Sequence, residues 1–375
     1  VTTPTKRTLR VEQLARIYDV EIGPCWGTRF GKMLLRDLAV PARGQVLDVS
    51  CGTGYPTIEI LRRMTDGSRL IAIDESSAML DVVRRKVAEL GPLGNKSVFL
   101  RTASALPRLS FADEVYDLVV CNLGVGGMPS VEDAMRDFAR VAKPGGEVRF
   151  TLPMTGTFAE IHDLYREVLT KHDMHDALDR LDRHVARYPT FAQLERGLDA
   201  AQLTGGVELE EFALLFRSAR ELFFAPVIEH GPLADWKAIA GDGQEMQDVF
   251  WYIKEAIDAY FGDRPFHLTV KAGCVIGRKA ERTLHDRVVP EARPARDARE
   301  AREARAAREA EVARAQGSVD VDVITTPVRL DATIELDFDV EELASGDISF
   351  EDERIADAEL DAFIEGKKRP HHLAD

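Results

Sequence analysis

Two carboxylates, each closing a short apolar run, are the side chains best placed to do chemistry. Val46-Leu-Asp-Val-Ser-Cys-Gly-Thr-Gly54 ends such a run in Asp48 and then turns through Gly52 and Gly54, where missing side chains let backbone approach a ligand closely. Leu70-Ile-Ala-Ile-Asp74 ends a second run in another acid, at the separation from which a carboxylate reaches the ribose hydroxyls of a bound nucleotide. A nicotinamide dinucleotide suits both features only in part. Its fingerprint Gly-x-Gly-x-x-Gly needs a third glycine, and here Gly52-Thr-Gly54 is followed by Tyr55, Pro56 and Thr57. A pyrophosphate has no use for the acid at Asp48, whereas a cofactor carrying an ammonium and a sulfonium is stabilised by carboxylates. S-adenosylmethionine is therefore expected in preference to NAD.

Residues of this kind must be held at the ends of strands, and the pattern around them supplies strands. Apolar runs at 45–49, 69–73, 97–100, 116–121, 147–152, 207–216 and 266–276 alternate with helical spacings, as at Ile58, Ile60, Leu61 and Met64 or over 76–90 and 131–141. The expected fold is α/β, a Rossmann-like, mostly parallel sheet of seven strands covered on both faces. Helical patterns at 158–202 and 219–260 exceed a single crossover and predict helical insertions lying over the carboxyl ends of the strands as an apolar lid. Helical spacings over 11–40, interrupted at Ile22-Gly23-Pro24, precede the first strand. We place this domain at 1–280, a charged Ala/Arg/Glu helix or linker at 281–317, and an acidic tail at 318–375.

The net charge of −15 is concentrated in that tail, where 17 acidic residues face 5 basic ones, so the rest of the chain is close to neutral. No broad basic footprint for nucleic acid is visible. Val319, Val321 and Val323, and then Ile334, Leu336, Phe338 and Val340, alternate with acids. That pattern suits docking on a basic protein partner as well as a solubilising tail. Cys25, Cys51, Cys121 and Cys274 are scattered without a Cys-x-x-Cys pair, and His172, His175 and His184 lack a ligand spacing, so no disulfide framework and no metal are expected. With no run approaching a membrane span, the expected setting is the cytoplasm.

Five motifs in order and spacing resemble the class I S-adenosylmethionine-dependent methyltransferases, in the small-molecule branch that includes ubiquinone and menaquinone biosynthesis methyltransferases. They are Leu47-Asp-Val-Ser-Cys-Gly-Thr-Gly54, Ala72-Ile-Asp-Glu-Ser-Ser-Ala-Met-Leu80, Ala105-Leu-Pro107 before Phe111, Tyr116-Asp-Leu-Val-Val-Cys-Asn122, and Arg140-Val-Ala-Lys-Pro-Gly-Gly146. The resemblance implies that Asp48, Ser50, Cys51, Gly52 and Gly54 line the methionine end of the cofactor, that Asp74 holds the ribose, and that Glu75 and Met79 lie beside ribose and adenine. Asn122 would face the methionine moiety. Ser50 stands where the family usually has its first glycine. Thr102 stands where an acid often accepts the adenine amino group, so recognition at Thr102 and Ala103 would rest on a hydroxyl and backbone amides.

The segment Arg16-Ile-Tyr-Asp-Val-Glu-Ile-Gly-Pro-Cys-Trp26 resembles the N-terminal helices that fold over the cofactor, with Tyr18 closing the site and Trp26 walling the acceptor pocket. Methyl transfer is an in-line displacement that needs alignment and exclusion of water more than a nucleophilic side chain. For a hydroxyl acceptor, His162 is the candidate base. The stretch Asn122-Leu-Gly-Val-Gly-Gly-Met128 is not the Asn/Asp-Pro-Pro-Tyr that presents a nucleobase amine, which leaves a small apolar or aromatic metabolite as acceptor. The competing expectation is a noncatalytic S-adenosylmethionine-binding scaffold acting through its tail.

Overall fold

All seven expected strands are present in the computed structural model, which describes residues 6–281 apart from 129 and 263. They are β1 (Gln45–Val49), β2 (Arg69–Asp74), β3 (Ser97–Thr102), β4 (Tyr116–Asn122), β5 (Ala142–Pro153), β6 (Leu203–Phe216) and β7 (Phe266–Lys279). They form one sheet in the order β3-β2-β1-β4-β5-β7-β6, with β7 antiparallel to both its neighbours. Strand order reverses between β1 and β4, and it is outside the carboxyl ends of strands flanking such a reversal that ligands of open α/β sheets bind.

Side chains alternate between two cores, as the two-residue period of a strand requires. Val46, Leu70, Ala72, Leu118 and Val120 join α3 (Gly27–Leu35), α4 (Tyr55–Arg63) and α5 (Ser77–Glu89) in one buried cluster. Leu47, Val49, Ile73, Val119, Val148 and Phe150 join α6 (Val131–Val141) and α9 (Phe191–Ala200) in the other. The first strands therefore read as nearly unbroken apolar runs because both of their faces are covered.

Three boundaries differ from expectation for local reasons. The chain does not break at Ile22-Gly23-Pro24. α1 (Lys6–Ile17) passes into a π-helical turn, Tyr18–Ile22, closed by the Gly23 amide on the Tyr18 carbonyl, and then into the short α2 (Gly23–Cys25), where Pro24 occupies an early position that needs no amide donor. β6 begins before the expected position because Gly205 faces β7 so closely that a Cβ there would lie 1.9 Å from the Ile276 carbonyl oxygen. Here a glycine marks close approach of two strands and not a turn. β5 likewise starts at Ala142, reached through a register shift between Tyr116 and Leu118.

The first helical insertion is α7 (Ala159–Lys171) and α8 (His175–Val185), ahead of α9. The second is α10 (Ala219–Phe224), α11 (Pro226–Glu229), α12 (Leu233–Ala240) and α13 (Gly243–Phe261). They share one apolar core through Tyr165, Phe223, Trp236 and Phe250. The proposed linker at 281–317, beyond its first residue, and the tail at 318–375 lie outside the described residues. Among the described residues no helix is long and apolar enough to cross a membrane.

One buried arginine ties the N-terminal helices to the sheet. Arg149 on β5 donates to the Arg36 carbonyl at 2.6 Å and the Leu34 carbonyl at 3.3 Å, satisfying acceptors that the end of α3 leaves without intrahelical partners, and it pairs with Glu147. Arg149→Met should lower stability by about 1.5–3 kcal/mol, the range for hydrogen bonds from a charged group. Urea unfolding checks this, and an unchanged midpoint with an unchanged slope would remove the anchor from the account.

Candidate active site

The loop after β1 is held by hydrogen bonds within itself and from the end of β2. Ser50, Gly52 and Gly54 all have left-handed φ angles, +53°, +53° and +88°. The Cys51 amide bonds the Ile73 carbonyl at 2.9 Å, and the Gly54 amide bonds Cys51 at 2.9 Å. Asp74 receives the Gly52 amide on Oδ2 at 2.8 Å and the Ser76 amide on Oδ1 at 2.9 Å, so one carboxylate orders both the glycine loop and the turn into α5. Burial raises the Asp74 pKa, opposed by the amides of Ser76 and Gly52. Each carboxylate oxygen keeps a further lone pair for a ligand hydroxyl.

Asp48 is fully buried behind the loop. Its Oδ2 accepts the Thr57 hydroxyl at 2.5 Å, while its Oδ1 has no partner among the described residues. Burial pushes its pKa up to about 7; the Thr57 hydrogen bond lowers it and Asp74 raises it further. Thr57 occupies the place of the third fingerprint glycine, and the residue that spoils the dinucleotide pattern is thus the one that supports the acid. Gly54 keeps a different glycine duty, since a Cβ there would lie 2.9 Å from Val83 of α5.

Opposite this loop stands the turn after β4. Asn122 donates from Nδ2 to the Gly27 carbonyl at 2.9 Å and accepts from the Thr151 hydroxyl at 2.7 Å, clamping the start of α3 to the sheet. A Cβ on Gly124 would lie 2.4 Å from Ser50 Cβ, which shows how tightly the β1 and β4 loops meet. Beside Asp74, Ser104 donates to exposed Glu75, Ala103 donates its amide to the Asp74 carbonyl at 3.0 Å, and Thr102 is exposed at the end of β3. Met79 is half-buried at the first turn of α5. Cys51 and Cys121 are buried, and burial raises both thiols well above their usual range, so neither is a thiolate.

Tyr18 stands over the loop, its ring 3.8 Å from where a Gly52 side chain would begin. Its phenol pKa is raised, by burial first and then by Asp74 and Cys25. Trp26 stacks on Phe158 at 5.9 Å and meets Phe30 at 5.0 Å and Phe212 at 6.2 Å, and Phe158 in turn packs on Trp236 at 5.7 Å. Trp26 and Phe212 remain partly exposed.

His162 is placed otherwise than a base requires. Its ring neighbours are His184 at 5.3 Å and Tyr188 at 6.2 Å, and burial, with His184 and Arg166, pushes its pKa down to about 3. An imidazole that weakly basic is poorly suited to deprotonating a hydroxyl. Among the described residues no group of three or more His, Cys, Asp or Glu could hold a metal.

Residues 46–146, the stretch containing both loops and the turn after β4, match the family described as methyltransferase domain. The chain carries a class I S-adenosylmethionine-dependent methyltransferase domain. It is similar to the ubiquinone/menaquinone biosynthesis C-methyltransferase of Idiomarina loihiensis, with 29% identity over 48% of this chain and 77% of that protein. For the enzyme of that description in an Enterobacter species the identity is 32%, over 36% of this chain and 55% of that protein, so the match there spans little more than half the relative's length. Among solved structures, a Bacillus halodurans protein described as a methyltransferase aligns over 67% of this chain and 98% of its own, with 14% identity and a TM-score of 0.45.

Within this methyltransferase domain several motif residues prove to be scaffolding. Arg140 donates to the carbonyls of Phe111 at 2.7 Å and Leu109 at 2.9 Å and pairs with Asp113 and Asp137, pinning the loop beyond β3. Lys143 pairs with Asp117 at 2.8 Å, and a Cβ at Gly146 would lie 2.8 Å from the Lys143 carbonyl oxygen. Pattern reading did not single out Thr57, Thr151 or Gly124. Only the misplaced threonine in the glycine fingerprint carried a legible signal.

Proposed function

We infer that the protein transfers a methyl group from S-adenosylmethionine to a small aromatic or apolar metabolite. The observation that carries the acceptor class is the partly exposed wall of Trp26 and Phe212, backed by Phe158 and Trp236, since stacked rings offer an apolar acceptor a rigid face. The relatives named as C-methyltransferases support the same class. The site residues fit the cofactor: an unpartnered buried acceptor, Asp48 Oδ1, suits an ammonium, and the Asp74 carboxylate has lone pairs left for ribose hydroxyls. Gly52 and Gly54, with the backbone of Ser50 and Cys51, would carry the methionine end. Glu75, Met79, Thr102 and Ala103 would border ribose and adenine.

When bound, the cofactor supplies a methyl group already activated by its sulfonium. The chain contributes alignment and dryness. Tyr18 covers the loop, Asn122 holds α3 against the end of β4, and the aromatic wall orients the acceptor while excluding water. The test is incubation of the full chain with methyl-labelled S-adenosylmethionine and fractionated metabolites. Label should enter an apolar or aromatic fraction, and Trp26→Ala should abolish that transfer while retaining cofactor binding. Label appearing only in polar amines would overturn the acceptor class.

Asp48 also predicts a pH dependence. Its carboxyl pKa of about 7 in the folded chain lies above the roughly 3.9 of an unfolded aspartate. The stability this group contributes without cofactor is therefore fully present below about pH 4 and lost as pH rises through about 7. Cofactor binding has the opposite sign, because an ammonium favours the carboxylate. Affinity measured by calorimetry should rise as pH increases through 7 and become flat in Asp48→Asn.

A further inference from the structure

The geometry points to Lys86 as a positioning residue that latches the N-terminal segment over the cofactor loop and sets how long the cofactor stays. This inference rests on the reading that the Gly52 loop holds S-adenosylmethionine. Lys86 Nζ donates to the Thr53 carbonyl of that loop at 2.9 Å and pairs with Asp19 in the π-helical turn. One ammonium thus joins the loop to the turn that carries Tyr18, whose ring overhangs Gly52.

Apolar contacts also hold α1 against α5. Ala15 of α1 packs on Ala78 and Val82 of α5, with Val11 and Met79 at the margin. Met79, Val82 and Lys86 fall at i, i+3 and i+7, one face of α5, so a single helical stripe presents first the apolar contacts and then the charge. A π-helical turn inserts one residue into the helical path and recurs at functional sites. Here it sets Asp19 against Lys86 while Tyr18 faces the loop. Both latch side chains are partly exposed, 31% for Lys86 and 26% for Asp19, so the pair is open to screening by salt. For a bound ligand to leave from under Tyr18 the segment has to lift, and lifting breaks the Asp19 pair.

Release of S-adenosylhomocysteine from the full chain, followed by stopped-flow displacement, tests the latch. Lys86→Met and Asp19→Asn should each speed release roughly three- to tenfold, the scale of a partly exposed ion pair with a charge-assisted hydrogen bond. The double variant should release no faster than the faster single, and Lys86→Arg should restore a slow rate. Wild-type release should quicken with ionic strength while Lys86→Met stays flat, a difference that a purely structural lysine does not produce. Amide exchange over Tyr18–Ile22 should accelerate in both single variants. Wild-type release rates in Lys86→Met and Asp19→Asn, or single effects that multiply in the double variant, would overturn the latch. Failure of the wild-type chain to bind S-adenosylhomocysteine at all would remove the cofactor reading itself, and the latch with it.

Discussion

Gly124→Ala should weaken S-adenosylmethionine binding by roughly a hundredfold, because overpacking of about 1–3 kcal/mol falls directly on the Gly52 loop, the one proposed to hold the cofactor. The new methyl carbon would lie 2.4 Å from Ser50 Cβ, 2.7 Å from Ser50 Oγ and 2.8 Å from Cys121 Sγ. Cys121 is buried in the sheet and cannot retreat, so Ser50 must move, and Ser50 already sits at a φ of +53° that a non-glycine residue adopts at a cost. Two of the three clashes belong to Ser50. A Ser50→Gly, Gly124→Ala double variant should therefore recover much of the lost affinity, and Ser50→Gly alone should bind as the wild type does. Calorimetry on the three variants decides this. Full affinity in Gly124→Ala would mean that the β1 and β4 loops meet less closely than these distances require.

Asp74→Ala should be comparably severe, for a reason that goes beyond a lost ribose contact. Both carboxylate oxygens already accept backbone amides, from Gly52 at 2.8 Å and Ser76 at 2.9 Å. Hydrogen bonds to a charged acceptor are worth about 1.5–3 kcal/mol each, so the alanine variant loses the order of the glycine loop together with the ligand contact. Affinity should fall by at least roughly a hundredfold, with amide exchange at Gly52 and Ser76 accelerated even without cofactor. Asp74→Asn keeps one carbonyl acceptor and should lie between the two. A folded Asp74→Ala chain with unchanged affinity would remove the ribose role, and unchanged exchange would remove the loop-ordering role.

The sequence by itself determined the sheet and pointed to the candidate site at its strand ends. Strands covered on both faces read as unbroken apolar runs, and the helices between strands read at their own period, so β1 and α6 were legible to the residue, whereas the reversal between β1 and β4 came only with the strand order of the folded sheet. Asp48, Gly52, Gly54 and Asp74 were legible because an acid or a glycine at a strand's end has few other uses. Tertiary structure decided what each of them does. Asp74 spends its first lone pairs on Gly52 and Ser76, Thr57 supports Asp48 from the place where a glycine was sought, and Gly124 is small because Ser50 is not glycine. Lys86 found Asp19 67 residues away, and His162 came to lie against His184. Local period reports which way a side chain faces, but a hydrogen bond between distant segments depends on how the helices pack, and no spacing along the chain encodes that distance.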